Sequence, residues 1–373
     1  MPTLRLLPAE SVGTGHKGEV LTCAYTPDGL YVLSGGWDGQ LRLWEVATGM
    51  SVTELSVGDK PVCACAISPD GRQWLSGSMD GLLASWDGSS QEQLGLFLAH
   101  TRPISGLVFS ADGNLLASAS WDRSVIVWNR QRERDGKTLS GHGDIVAGCQ
   151  FTPDESALVS WSHDCTLRIW DVARARSKAT LSGHQDRVTA AAVSPDGAWV
   201  ASGSRDGTLK LWDVANGKQV ASAPLRAEAK ACFFLLDLEW LVSIDAHGRI
   251  LLHSLPDCVP QGELVTRLAV QSVAMNARGT QIALGCDDGL LHFVDVGGVE
   301  NSPVVVTATE NSRRISTGLQ RLFGKSTLQQ TLTGTCPACR RAFELPRASA
   351  SRCPHCGRTW RIHAAPLVPE RVR

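Results

Sequence analysis

The sequence predicts an all-β fold: a seven-bladed propeller, then a linker and a small cysteine-bearing module. Three recurrences carry that prediction. Trp44, Trp86, Trp128, Trp170 and Trp212 stand at a constant interval of 42 residues, with Asp38, Asp80, Asp122, Asp164 and Asp206 six residues before them and Ser34, Ser76, Ser118, Ser160 and Ser202 ten before. A unit of about 40 to 45 residues is the length of a four-stranded blade, whereas helical repeats carry a 3.6-residue apolar period that is absent here.

Each blade opens with a Gly-His pair or its relic: Gly15-His16, Ala99-His100, Gly141-His142 and Gly183-His184, with Gly58 where the second blade has lost the histidine. Pro-Asp-Gly at 27–29, 69–71 and 195–197 suits tight turns, because proline pre-sets one dihedral and glycine accepts a left-handed one. Runs such as Leu41-Arg42-Leu43-Trp44 and Leu209-Lys210-Leu211-Trp212 alternate in character between turn residues, as half-buried antiparallel strands do. A buried indole N–H or imidazole left unpaired costs about 1–3 kcal/mol, so the recurrent His, Ser, Asp and Trp are expected to be one another's partners. Two further units are degenerate: His253 and then Val294 fall where the tryptophan belongs, and the step shortens to 41. The count is then seven blades over residues 1–308. Phase favours residues 304–307 as the last outer strand, with residues 4–7 as the competitor.

These residues resemble the WD-repeat family, whose signature this chain writes as Gly183-His184, Ser194-Pro195-Asp196-Gly197, Ala201-Ser202-Gly203-Ser204 and Trp212-Asp213. The resemblance covers roughly residues 10–308. It implies that the histidines are structural, hydrogen-bonded within each blade. It also implies, for regular blades of this kind, a bacterial-type WD-repeat protein similar to adaptors and regulators in signalling or defence assemblies.

Composition is that of a soluble chain, with 20% charged residues and a mean hydropathy of −0.05. No apolar stretch approaches the roughly 18 residues of a membrane span, and the N-terminus lacks the ordered regions of a signal peptide, so the expectation is a cytoplasmic protein with no membrane partner. Eight of the twelve cysteines scatter through the blades without recurrence and are expected to be buried free thiols. Phosphate-cradling, HExxH and GxSxG motifs are absent, and the Gly-His elements recur per blade where a catalytic group should occur once. No catalytic residue, small-molecule substrate or organic cofactor is expected.

After the repeats come a basic linker over 309–332, in which Thr317 could cap a short helix bearing Leu319, Leu322 and Phe323, a module over 333–364 and a flexible tail over 365–373. The net charge of −1 conceals an asymmetry: residues 309–373 hold 12 Lys and Arg against 3 Asp and Glu, which leaves the rest of the chain acidic. Such a tail could meet nucleic acid, an acidic partner or its own propeller. Cys336-Pro-Ala-Cys339 and Cys353-Pro-His-Cys356 are two knuckle spacings that aim four thiolates at one ion. The module resembles a zinc ribbon, with Phe343 and Trp360 placed to pack beside the site. One structural zinc is expected, with iron of the rubredoxin kind and a redox dithiol as the alternatives and His355 as a surface residue. So small a module would draw much of its folding free energy from the ion.

Binding is the remaining function, and the repeat says where. The residue before each recurrent aspartate, namely Trp37, Met79, Trp121, His163 and Arg205, falls in the turn between second and third strands, so the five lie in one ring on the face expected to engage a protein partner. Trp, Met and Arg are enriched at interfaces. Alternatively the two indoles pack on neighbouring blades. Trp161, at a position that is glycine or alanine in the other regular blades, is expected to crowd the same side of the fourth. The chain therefore reads as a non-enzymatic scaffold or adaptor with the ribbon as second contact module, the alternative being a nucleic-acid-associated recruiter.

Overall fold

The computed structural model describes residues 2–7, 15–130, 132–236, 238–297, 332–335, 342–345, 351–352 and 359–360. The chain divides into two compact units, Met1–Asn301 and Ser302–Arg373. In the first, strands numbered β1 to β28 in chain order form seven antiparallel four-stranded sheets.

The first sheet shows the rule. β2 (Val20–Tyr25), β3 (Tyr31–Gly36), β4 (Gln40–Glu45) and β5 (Met50–Ser56) pair in sequence order, and the next five sheets repeat that order. The innermost strands β2, β6 (Val62–Ile67), β10 (Ile104–Phe109), β14 (Val146–Phe151), β18 (Val188–Val193), β22 (Ala229–Phe234) and β26 (Val270–Met275) each lie beside the next, and β26 lies beside β2, which closes the ring. Neighbouring blades approach closely where a glycine, Gly35, Gly77, Gly203 or Gly285, stands near the end of the second strand. A Cβ on Gly35 would fall 2.5 Å from Val62 Cγ1 of the next blade, so only glycine fits there.

The hairpin joining first and second strands is fixed by its own polar side chains. In the fifth blade Ser194 Oγ donates to Asp196 at 2.6 Å and accepts from the Trp199 N–H at 2.9 Å, while Gly197 takes φ of 74°. This is the turn that Ser-Pro-Asp-Gly predicts, and the positive φ is what the glycine supplies.

Closure corrects one expectation. The outer strand of the seventh blade, which runs β26, β27 (Gln281–Cys286), β28 (Leu291–Gly297), is not residues 304–307 but β1 (Thr3–Leu6), with Thr3 opposite Gly297 and Leu6 opposite Val294. The alternation Thr-Leu-Arg-Leu puts both leucines on one face of the strand, where Leu4 and Leu6 join the core around Val294 and Val296. Phase with the first blade could not reveal this, since it says which position needs a strand and not which chain end reaches it.

In the second unit β29 (Leu332–Thr335) pairs with β30 (Ala342–Leu345), and β31 (Ser351–Arg352) with β32 (Thr359–Trp360). The proposed helix at Thr317 and the four ribbon cysteines Cys336, Cys339, Cys353 and Cys356 lie outside the described residues.

Candidate functional site

Four blades carry a complete polar chain running from tryptophan to aspartate. In the fourth, Trp170 Nε1 donates to Ser160 Oγ at 2.8 Å, Ser160 meets His142 Nε2 at 2.8 Å, and His142 Nδ1 meets Asp164 at 2.9 Å. An indole can only donate and a carboxylate only accept, so the imidazole Nδ1–H donates to the aspartate and the indole to the serine; wherever the ring is neutral its Nε2 accepts the serine hydroxyl's proton. The same three contacts link Trp44, Ser34, His16 and Asp38; Trp128, Ser118, His100 and Asp122; and Trp212, Ser202, His184 and Asp206.

At His16 and His184 the electrostatics support neutral imidazole beside carboxylate. Burial lowers His16 and His184 below the ordinary histidine value in spite of the opposing pull of Asp38 and Asp206. Burial alone would raise Asp206, but the Thr208 hydroxyl, the Gln185 N–H and His184 outweigh it and bring the carboxyl down to about 2. Asp164 is likewise held well below the usual range by His142, Thr166 and the Gly143 N–H, against the opposing effect of burial. These groups are occupied in holding the fold and present no free base to a substrate.

The other three blades depart from this scheme in different ways. The second keeps the Trp86 to Ser76 bond at 3.0 Å, but with Gly58 in place of histidine its Asp80 turns to Ser78. In the sixth, His253 stands for tryptophan: Ser243 Oγ meets its Nε2 at 2.8 Å and its Nδ1 donates to the Cys258 carbonyl at 3.3 Å. In the seventh the serine and tryptophan positions are Leu284 and Val294, both fully buried.

The ring of turn residues is built on one recurring backbone bond. The N–H of Trp37, Met79, Trp121, His163 and Arg205 each donates to a carbonyl of the segment entering the first strand of the same blade, at 2.9–3.0 Å. Ala246 and Asp287 make the same bond in the sixth and seventh blades, so the ring has seven members, two of which the five tryptophan-aligned positions could not reveal. Within it Trp37 is 53% and Trp121 44% exposed, Arg205 is exposed, and Met79 and His163 are half-buried. The indoles are therefore neither sealed between blades nor free of them.

Blade four is crowded as the sequence suggested. The Trp161 ring lies over Gly148, where a Cβ would come within 2.3 Å of it, and packs against the cluster around Val159 and Val188. The indole nitrogen of Trp161 and the Nδ1 of His163 are both buried without a hydrogen-bond partner.

Sequence reasoning missed an apolar strip on the outside of the second blade. Strand β9 (Gln93–Leu98) exposes Leu94, Leu96, Phe97 and Leu98 beside a cavity of about 450 Å³ lined by Leu75, Leu83, Phe109 and Trp128 among others, with the Phe97 and Trp128 rings edge to face at 5.5 Å. The signal was available: no other outer strand reads Gln-Leu-Gly-Leu-Phe-Leu. All eight cysteines of the first unit are free and buried or half-buried, and burial pushes several thiols, such as Cys149, up to about 12.

Comparison with known proteins agrees with the architecture. Residues 9–45, 49–87, 91–129, 134–171 and 175–213 match the family model described as WD domain, G-beta repeat. Among curated proteins the chain is similar to ribosome biogenesis protein Erb1 of Aspergillus fumigatus, 46% identical over 50 residues, and of Emericella nidulans, 43% identical over 53 residues. These matches cover 13–14% of this chain and 6–7% of those proteins, so the chain spans only a small part of the relatives it matches. The five matched units take in more than half of the residues, and four of the five blades they cover carry the complete polar chain within a closed ring of seven: the chain belongs to the WD-repeat family.

Proposed function

We propose that this protein is a non-enzymatic scaffold or adaptor whose turn ring binds a protein partner within an intracellular multi-protein assembly of a signalling, regulatory or defence kind. The supporting observation is the pair of indoles, Trp37 and Trp121, held about half in water on turns whose backbone is pinned by the blade. Large apolar area on a pre-ordered frame is released from water on binding at little cost in conformational entropy. The five family-matched units agree with an interaction scaffold. The second contact module is the proposed zinc ribbon, one ion held by Cys336, Cys339, Cys353 and Cys356. Its support is the donor set itself and the two short ladders, β29 with β30 and β31 with β32, which flank the two cysteine pairs in sequence.

Affinity purification of the full chain and of residues 1–308, followed by mass spectrometry, identifies partners and sorts them between propeller and tail. The double substitution Trp37→Ala with Trp121→Ala is expected to weaken capture of a propeller-dependent partner at least about tenfold with the melting temperature held. Undiminished capture removes the ring from the reading.

A second reading, recruitment to nucleic acid through the tail, draws on its excess of arginine, including Arg340, Arg341, Arg352 and Arg358, and on the name ribosome biogenesis protein carried by the relatives. Because those likenesses span about one repeat, they support a propeller in an assembly more than a particular assembly. Binding that falls steeply with added salt, through counterion release, distinguishes this reading from the first.

A further inference from the structure

The seventh blade holds a side-chain cluster that its neighbours lack. The hairpin from the end of β27 to β28 brings together Cys286, Asp288 and His292, each with one ligand atom within 4.8 Å of the other two. The sequence spacing explains the meeting. Gly285 pairs with Leu291 and Leu284 with His292 across the hairpin, so Cys286 and His292 sit on the same face as diagonal neighbours, and the turn between them carries Asp288. The other blades place serine, glycine or aspartate at the Cys286 position, and all six place lysine, arginine or an apolar residue at the His292 position.

Asp288 occupies the place that Asp164 and Asp206 hold in the regular blades, yet no Gly-His pair precedes this blade; Val265-Thr266 stand there instead. Released from the polar chain, its carboxylate accepts from the Leu290 N–H at 2.9 Å through one oxygen and meets His292 Nε2 at 2.8 Å through the other. Cys286 is buried, its thiol directed weakly at the Leu284 carbonyl at 3.8 Å. One thiol, one imidazole and one carboxylate are thus gathered with an open side toward solvent at Asp288.

We propose that Cys286, Asp288 and His292 bind a zinc-like divalent transition-metal ion with water in the fourth position. Sulfur, nitrogen and oxygen donors together suit a borderline-soft dication rather than calcium or magnesium, which take oxygen ligands. Bonds of about 2.0–2.3 Å in a tetrahedron put ligand atoms about 3.3–3.6 Å apart. The pair of His292 and Asp288 has to open by roughly half an ångström from its present contact to reach that separation, a shift within reach of a half-exposed carboxylate. On binding, the Cys286 thiol gives its proton to water, the imidazole moves its own from Nε2 to Nδ1, and the ion is held by one thiolate and one carboxylate with no net oxidation or reduction. The site stands beside Asp287, the seventh member of the turn ring, on the face read above as partner-binding; it depends on that reading in no other way.

Cobalt(II) is the probe, because a bound thiolate gives it a charge-transfer band in the near ultraviolet. The tail cysteines would bind cobalt as well, so the titration uses the full chain carrying Cys336→Ser, Cys339→Ser, Cys353→Ser and Cys356→Ser. One equivalent of cobalt with a single-thiolate band is expected, with the band abolished by adding Cys286→Ser. His292→Ala and Asp288→Asn, both at solvent-reaching positions, are expected to weaken binding at least about tenfold while leaving the melting temperature of the metal-free protein in place, which keeps the test decisive if Cys286→Ser disturbs the core. Absence of bound cobalt in the four-serine background, or a band that survives Cys286→Ser, overturns the proposal. A wild-type chain holding no metal at the tail bears on the ribbon alone.

Discussion

Blades four and seven occupy equivalent places in one closed ring, yet one is held together by a polar chain and the other by grease. In blade four Trp170, Ser160, His142 and Asp164 pass hydrogen bonds from the core to the turn; in blade seven Leu284 and Val294 fill the same interior positions with no polar atom at all. Both blades nevertheless have four strands with a bulge at the same place on the first. The difference teaches that the ladder and the blade-to-blade apolar contacts make the propeller, and that the polar chain is one of two acceptable ways to fill it. Replacing all partners together by apolar groups avoids the cost that removing one partner incurs, which is why the intermediate states, blades two and six, each reroute the polar atom that was left over. In blade two Asp80 turns to Ser78, and in blade six His253 finds the Cys258 carbonyl.

The largest expected effect sharpens that contrast. Trp170→Ala removes a fully buried ring and the N–H from which Ser160 Oγ accepts, and should destabilise the propeller by about 3–5 kcal/mol, whereas Val294→Ala in the apolar blade should cost about 1–3 kcal/mol. Chemical denaturation of the two variants measures both, and equal losses would mean that the polar chain adds nothing to the ring's packing. Trp128→Ala belongs between them, because Trp128 is the one of the five repeat tryptophans left half-buried.

An intermediate effect separates carboxylates with and without a histidine. Asp164→Asn weakens contacts with His142, Gly143 and Thr166 and should cost on the order of 1.5–3 kcal/mol, while Asp80→Asn, whose aspartate is exposed and has no histidine partner, should cost about 0.5 kcal/mol or less. If the urea midpoints of the two variants coincide, the histidine contact is not what stabilises the turn.

The smallest effect is in pH. His16 and His184 have folded values below that of an unfolded histidine, near 6.5, so below that pH the unfolded chain binds protons that the folded chain refuses. Their contribution is complete above about pH 6.5 and declines as pH falls beneath it. Asp38, Asp122, Asp164 and Asp206 are depressed, so their contribution is complete above about pH 4 and is lost as pH falls through the folded values. Stability should therefore fall in two steps on acidification. His184→Gln should shrink the first step, and a stability profile flat from pH 7 to 5 would show that these imidazoles titrate as they do in the unfolded chain.

What the sequence by itself determined is everything that repeats. The 42-residue interval assigned the blades, and the fixed offsets of Ser160, Asp164 and Trp170 identified partners before any distance was measured, because within a blade those residues belong to neighbouring strands whose register the hairpin lengths set. The position of Trp37 and Trp121 on one ring was legible for the same reason. Tertiary structure decided what depends on one blade meeting another or on one chain end meeting the other. It chose Thr3–Leu6 over residues 304–307 to close the ring, left Trp128 half-buried beside Phe97 while sealing Trp170, and set the indole of Trp161 over Gly148. Periodicity averages over blades, so it reports the frame they share; the departures in single blades, from the bare strip of β9 to the meeting of Cys286 with His292, arise from contacts that occur once and leave no period to read.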